Sequence, residues 1–400
     1  MKILMVVPAI AAIYGGPSQV VLQLARSLGR LGIEVDIVTT SANGNRHLNV
    51  PLHRWIDRDF YRIQYFDFWN FGDYRYISFK LTRWLWHRVR AYDIVHTHAL
   101  FCYPSLPAHW ACQQHNIPYV MTPHGMLEPW AMAYKYWKKW LFFKGLEQPA
   151  IDRAAAVQAL CESEADRARS IAPKTPAIVI PSGIDRADFD RLPDPERFYR
   201  VFPETRNKTL ILFLGRLHPK KGLDLLASAL PRIRAELPQI HVVVAGPDSI
   251  GYFPKVKSFF RQVGGLDAVT FTGMLHGQLK YAALAAADLY VSPSYSEGFS
   301  LSVLEGMASG LPCVITKGCH FPEAASDRAV WEVNPDPVEI AEATIAVLKD
   351  RRFAREMGDR ARQLIFTEYT WERIADRLRS LYLTLGDRDR FSRSVRQIIL

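Results

Sequence analysis

A chain of 400 residues with 49% apolar and 22% charged residues and a formal net charge of +10 exceeds what one hydrophobic core ordinarily organises, so two domains are expected. The composition excludes a disordered or fibrous protein. No apolar run reaches the roughly 20 residues that a bilayer core requires, because Pro8 interrupts Ile3 to Tyr14 and Asp288 interrupts Tyr281 to Val291.

The chain opens on Lys2-Ile-Leu-Met-Val-Val7. A secretory leader begins in the same way, but this run passes without a break into Tyr14-Gly15-Gly16-Pro17 and an amphipathic helix ending near Gly32, the order of a first β-strand and its crossover helix. Strand-like runs follow at Ile33–Thr39, Asp93–His98, Pro118–Thr122 and Ala177–Ile180. From Ser41 to Tyr76 the chain reads as an aromatic-rich loop, either stacking on a sugar or lipid or roofing the core of the first domain. Between Arg75 and Lys144 nine basic residues stand against Asp93 and Glu128 alone. Two segments there, Arg83–Arg90 and Trp130–Lys144, interleave tryptophans with cations, the composition of helices at a lipid headgroup boundary. The competing reading is amphipathic helices that bury their tryptophans and solvate their cations. The location of both patches in one half of the chain favours the membrane surface.

Asp190 to Pro203 is proline-rich and aperiodic, the mark of a linker. A second strand series then begins at Thr209–Gly215 and continues through Ile240–Gly246, Ala268–Phe271, Asp288–Ser292 and Pro312–Thr316. Thr370 to Leu385 reads as one more helix, followed by a basic tail. Strands alternating with helices predict an α/β protein of two Rossmann-like, doubly wound domains, 1–190 and 204–369, facing each other across a cleft, with 370–400 as a helix and tail free to return to the first domain. Five cysteines (Cys102, Cys112, Cys161, Cys313 and Cys319) without Cys-x-x-Cys spacing argue against a disulfide framework or a cysteine zinc site and for a reducing, cytoplasmic setting.

The densest motif is Ser294-Tyr-Ser-Glu-Gly-Phe-Ser-Leu-Ser-Val-Leu-Glu305. Glu297 falls on the loop after a strand and Glu305 inside the next helix, about one turn from its start. Unpaired N–H groups at such a terminus attract phosphate, and a carboxylate beside phosphate is useful when it accepts hydroxyl hydrogen bonds from an attached sugar. Gly215-Arg-Leu-His-Pro-Lys-Lys-Gly222 follows the first strand of the second domain, and its Arg216 and Lys221 are spaced to face one ligand. Two fixed cations beside a helix terminus neutralise a diphosphate, including the charge that develops as it leaves, without a metal. Thr122-Pro-His-Gly125 puts His124 at a sharp turn after a strand, where a lone histidine is more often structural than catalytic. Gly15-Gly16 and Pro181-Ser-Gly-Ile-Asp185 say, taken singly, only turn.

Together these segments resemble the retaining glycosyltransferases of family 4, a large group with the two-domain GT-B architecture, over nearly the whole chain. The most specific element is the Glu-x7-Glu pair Glu297 and Glu305. Pro322-Glu323 is similar to the family's Pro-Glu after the last donor-side loop, although Gly318-Cys-His-Phe321 replaces a simpler glycine turn. The resemblance implies transfer of a sugar from a nucleotide diphosphate sugar, UDP- or GDP-linked, to an acceptor hydroxyl with retained configuration and no metal or other cofactor. It implies that Glu305 binds the ribose and that Glu297, with the backbone amides of Gly298, Phe299, Ser300 and Leu301, meets the donor sugar and diphosphate. Arg216 and Lys221 would hold the diphosphate. His124 would contact the transferred sugar, Gly15 and Gly16 would close over the phosphates, and the backbone at Met274 and Leu275 would lie against the base. Glu297 and His124 are thus the catalytic candidates. A glycosidase would use Glu297 as a nucleophile, whereas this family has no agreed nucleophile, and Glu297 is assigned to positioning and electrostatics.

The expected acceptor is a lipid-linked saccharide at the cytoplasmic face of the membrane, as in surface polysaccharide assembly, with an anionic membrane surface as a further partner. A GT-B epimerase or phosphorylase, or a non-catalytic sugar-nucleotide-binding subunit, would use a similar cleft. Asp57-Arg-Asp59 lies in an expected loop and His96-Thr-His98 lacks nearby carboxylates, so neither is favoured as a metal site. No nucleic-acid reading motif accompanies the basic charge.

Overall fold

Ile3, Leu4, Met5 and Val6 are fully buried, so the first strand, β1 (Lys2–Val7), is covered on both faces as a central parallel strand must be. The structure, a computed structural model, describes residues 1–44, 46–71, 74–129 and 140–386. Beside β1 lies β2 (Glu34–Thr40); after one small pairing, β3 (Ala42–Asn43) with β4 (Arg46–His47), the strands β5 (Trp55–Asp57) and β6 (Arg62–Phe66) extend the sheet beyond β2. A hairpin of β7 (Trp69–Phe71) and β8 (Tyr74–Ile77) leads to helix Phe79–Arg88. The sheet is completed by β9 (Ile94–His98), β10 (Tyr119–Thr122), β11 (Ala156–Ala159) and β12 (Ala177–Val179), in the order β12-β11-β10-β9-β1-β2-β6-β5. Every pairing is parallel except that of β5 with β6.

The segment read from sequence as a loop, 41–76, therefore contributes two strands to this sheet. Arg62 disguises β6: its guanidinium makes a two-pronged pair with buried Asp36, Nε to Oδ1 at 2.8 Å and Nη2 to Oδ2 at 2.7 Å, while Tyr92 Oη donates to the same carboxylate at 2.8 Å. Asp57 accordingly ends a strand rather than lying in a loop, and Asp59 stands 3.6 Å from Arg26. The short β11 also escaped the sequence reading, because Val157 is its only strong strand former and the alanines on either end have little strand preference, so burial between neighbours selects it.

The chain divides into two units, Met1–Ser182 with the segment from Trp371 onward, and Gly183–Thr370. The 190–203 stretch is not an irregular linker. It lies inside the second unit, where helix Glu196–Val201 follows helix Ala187–Asp190 and buries Phe198 in the core. Helix Trp371–Gly386 packs on helix Gly16–Arg30 of the first unit and buries Trp371, Ile374, Leu378, Leu381 and Tyr382.

In the second unit, β13 (Thr209–Leu214), β14 (Ile240–Ala245), β15 (Val269–Gly273), β16 (Leu289–Ser292), β17 (Cys313–Thr316) and β18 (Trp331–Val333) form a parallel sheet in the order β15-β14-β13-β16-β17-β18. Two clusters of buried side chains cover its two faces. Only β18 was missed from sequence, a three-residue edge strand whose Trp331 is exposed. Among the described residues no helix is long and apolar enough to cross a membrane.

Candidate active site

The winding of the second sheet reverses between β13 and β16, and the loops leaving the carboxyl ends of two such strands are where a doubly wound sheet receives ligands. The loop after β13 carries Gly215 and exposed Arg216, then tightens into one turn over Pro219–Lys221. Gly222 follows with φ 66° and caps helix Leu223–Glu236. A Cβ at Gly222 would overlap the carbonyl of Pro293 just after β16, so this close approach requires glycine. The same contact brings the two lysines of the turn against the second loop, and Tyr295 N–H donates to the Lys220 carbonyl at 2.8 Å.

Glu297 sits in that second loop with its side chain only 6% exposed. Its Oε1 accepts from Lys221 Nζ and, at 2.7 Å, from Ser294 Oγ, while Lys220 Nζ stands 3.6 Å from Oε2. Its N–H donates to the Gly318 carbonyl at 2.8 Å. Burial pushes the carboxyl pKa up, but the charges of Lys221 and Lys220 and the hydrogen bonds from Lys221 and Ser294 outweigh it. The net shift is downward, so Glu297 is a carboxylate at neutral pH. Lys220 is lowered by burial, against the pull of Glu297 and with the repulsion of Lys221 and Arg216. His218 is lowered by burial and then by the charges of Lys220, Arg216 and Lys221.

Helix Leu301–Ala308 starts at Ser300 with no side-chain cap, which leaves the partial positive charge of its first N–H groups available to an anion. Glu305 lies one turn in and accepts from Lys280 Nζ at 3.0 Å through Oε1. Met274 is exposed and Leu275 buried, directly after β15. The Phe299 ring meets Phe321 edge-on and stacks on Tyr369, with ring centres 5.3 and 5.9 Å away.

In the first unit the winding reverses between β1 and β9. Gly15, at φ 72°, caps helix Gly16–Arg30 without a side-chain hydrogen bond. His98 ends β9, and His124 follows β10 with φ 55°, an uncommon conformation for a residue with a side chain. The turn is held by Glu164, whose Oε1 accepts from Gly125 N–H at 2.5 Å and Oε2 from Leu160 N–H at 2.8 Å. Burial raises Glu164 to about 7 against these two N–H groups, with the Glu128 charge adding to the rise. Nε2 of His124 lies 3.1 Å from Nδ1 of His98. Burial lowers His124 to about 4, so its imidazole is neutral at pH 7. Both ring nitrogens of His96 are taken, Nδ1 by Tyr382 Oη at 2.5 Å and Nε2 by Thr122 Oγ1 at 2.7 Å. Among the described residues no group of three or more His, Cys, Asp or Glu side chains is arranged so that it could hold a metal ion.

Residues 14–188 match Glycosyltransferase Family 4, and residues 196–364 match Glycosyl transferases group 1. The chain belongs to the family 4, group 1 glycosyltransferases. An uncharacterized glycosyltransferase of Methanocaldococcus jannaschii is 29% identical over 215 residues, covering 52% of this chain and 54% of that relative, so the chain spans about half that relative's length. Phosphatidyl-myo-inositol mannosyltransferase of Mycolicibacterium smegmatis is 24% identical over 403 residues, covering 96% and 94% of the two chains. HepE of Anabaena, solved in complex with UDP and glucose, matches with a TM-score of 0.74 and 17% identity over 96% of this chain and all of that one. Such a likeness shows the fold, the GT-B pair of Rossmann-like domains.

Within this glycosyltransferase, Lys221, Glu297 and the start of the Glu305 helix are brought together at the switch point of the second sheet, with Arg216 close enough to shift its neighbours electrostatically. Gly15, Gly16 and His124 lie at the corresponding edge of the first sheet. Four polar residues were not found from sequence. Lys220 was legible as half of a Lys-Lys doublet, and Ser294 as the hydroxyl three residues before Glu297. Lys280 and Glu164 act through tertiary contacts that no local motif announces. The Trp130–Lys144 patch lies, up to Lys139, outside the described residues.

Proposed function

We propose that this glycosyltransferase moves a sugar from a UDP- or GDP-sugar to an acceptor hydroxyl with retention, without a metal, at the switch point of the second sheet. The observation that carries the reading is the cluster of Lys220, Lys221 and Glu297 held between the loops after β13 and β16. When the bond from the anomeric carbon to the diphosphate breaks, negative charge accumulates on the leaving oxygen. Preorganised cations and a helix N-terminus stabilise that charge more than the ground state, and this difference is the catalysis. Arg216 and Lys221 hold the diphosphate, joined by Lys220, while Glu305 accepts from ribose hydroxyls and the backbone at Met274 and Leu275 lies along the base. His124 and the Gly15-Gly16 helix start act on the transferred sugar and the phosphates. Glu297 has one oxygen hydrogen-bonded to Lys221 and Ser294 and the other facing Lys220. A carboxylate so engaged is a weak nucleophile, which favours a positioning and electrostatic role.

The acceptor we infer is a lipid-linked saccharide presented at a membrane surface on the cytoplasmic side, in polysaccharide or glycolipid assembly. Helix Phe79–Arg88 buries Leu81 and Leu85 and exposes Phe79 and Trp86 among Lys80, Arg83 and Arg88, the arrangement of an interfacial helix. A relative named for phosphatidyl-myo-inositol supports the same class of acceptor.

Thermal unfolding with UDP-, GDP- and ADP-sugars tests the donor. One UDP- or GDP-sugar at a hundred times its Kd stabilises the protein by about 2.7 kcal/mol and supports transfer with retained configuration in EDTA. The absence of a shift with every nucleotide sugar, an inverted product, or activity abolished by EDTA would each overturn the corresponding part of the proposal.

A further inference from the structure

Three imidazoles of the first unit form a stack: His96 and His98 ring centres are 4.3 Å apart and those of His98 and His124 are 5.3 Å apart, with interplanar angles of 27° and 29°. Burial keeps all three neutral near pH 7, lowering His96 to about 3, His124 to about 4 and His98 well below its ordinary value, with mutual repulsion adding to the effect on His96 and His98. Each ring therefore carries one proton, and the hydrogen bonds decide where it sits.

At His96 the direction is fixed by a chain of partners. Gln158 must donate its amide Nε2 to the Ile180 carbonyl at 2.8 Å, which turns its Oε1 toward Thr122 and makes it the acceptor of the Thr122 hydroxyl at 3.0 Å. With that proton committed, Thr122 Oγ1 accepts from His96 Nε2–H, and His96 Nδ1 accepts from the buried Tyr382 hydroxyl. His96 is thereby locked as the Nε2–H form.

His98 is 2% exposed, its Nδ1 faces His124 Nε2 at 3.1 Å, and its own Nε2 has no hydrogen-bond partner among the described residues. If Nε2 carried the proton, a buried N–H would be left without an acceptor, which folded proteins tolerate less than an unpaired lone pair. The proton then belongs on Nδ1. From this geometry we propose that His98 is a positioning residue that donates Nδ1–H to Nε2 of His124, and so holds His124 as the Nδ1–H form with its ring fixed by the stack.

This inference rests on the reading above in which His124 contacts the transferred sugar. It adds that His124 meets the sugar as a hydrogen-bond donor from Nδ1, and that its Nε2 is unavailable as a base because it is already an acceptor. The part played by His98 is invisible in the Asp93–His98 run itself, because the pairing with His124 spans 26 residues.

The test is histidine-selective ¹⁵N NMR on the full-length protein, with the His124 signals assigned by their loss in His124→Gln. Wild-type His124 should show a pyridine-type Nε2 and a protonated Nδ1. His98→Leu should release that preference and lower kcat by about 100-fold, the scale of one lost preorganised donor. His98→Asn, whose amide nitrogen occupies nearly the place of Nδ1, should restore both the Nδ1–H form and most of kcat. A protonated Nε2 on wild-type His124, or an unchanged Nδ1–H form in His98→Leu, overturns the proposal, and the wild-type spectrum decides even if either His98 variant fails to fold. Full transfer activity in His124→Gln would instead overturn the role of His124 in the reaction while leaving the tautomer assignment standing.

Discussion

Lys221 and Glu297 are 76 residues apart in sequence and share a hydrogen bond in the fold, with side chains 12% and 6% exposed. A pair this dry is costly to break from one side, because the surviving charge keeps its desolvation penalty and loses its partner. Lys220 shares the load at 3.6 Å from Oε2, so removing Lys221 does not leave Glu297 bare. Lys221→Met is therefore expected to destabilise the protein by about 2 kcal/mol, below the range for an isolated buried pair, and to cut kcat by about 100-fold. Adding Glu297→Gln should recover part of the stability and none of the activity. Urea titration of the two single variants and the double variant measures the coupling, and additive losses would show that the two side chains do not act as a unit.

The helix Phe79–Arg88 joins two readings that the sequence left as rivals. Trp84 packs on Trp55, Phe66 and Tyr92, with ring centres 5.9, 6.0 and 6.4 Å away, as a core tryptophan does. Phe79 and Trp86, on the same helix, are 61% and 45% exposed, and Phe79 meets Trp69 of the β7–β8 hairpin at 4.8 Å. The aromatic segment before the helix divides likewise: Tyr65, Phe66 and Phe68 are buried, while Phe60, Trp69 and Phe71 are exposed. Removing Lys80 and Arg83 together by Lys80→Gln and Arg83→Gln should weaken sedimentation with phosphatidylglycerol vesicles by about 2 kcal/mol, roughly thirtyfold, and leave thermal stability unchanged. Equal binding by wild type and variant, or no binding by either, would remove this helix from any account of the acceptor.

Across the whole molecule, buried histidines and buried carboxyls pull the pH dependence of stability in opposite directions. His96, His98, His109 and His124 are held below the ordinary 6.5, chiefly by burial, at about 3 for His96 and His109 and about 4 for His124. The unfolded chain takes up their protons first, so stability falls as pH drops below 6.5, by about 1.4 kcal/mol per histidine per pH unit. Glu147 and Glu164 are raised to about 7 by burial, partly offset by backbone N–H groups. Their contribution has the reverse sign, being complete below 4.5 and lost as pH rises through 7. Glu297, held below 4.5, adds a loss only as pH falls through its folded value. His218 and His241 are lowered by burial as well and Asp288 is raised by it, so among the described residues six histidines stand against three carboxyls, and the melting temperature should fall between pH 6.5 and 4.5, less steeply in wild type than in Glu147→Gln with Glu164→Gln. A melting temperature that rises over this interval would contradict the buried, neutral state of the histidines. The sequence by itself determined the α/β class, the succession of most strands and the residues of the Gly215–Gly222 and Ser294–Glu305 motifs, because periodicity, glycine turns and Glu-x7-Glu spacing are local properties of the chain. Only the tertiary structure decided that β6 and β11 join the sheet, that 190–203 is helical within the second unit, that Lys220 and Ser294 share Glu297, and that His98 faces His124. Each of these depends on a partner distant in sequence, and burial against that partner, not local preference, selects the conformation.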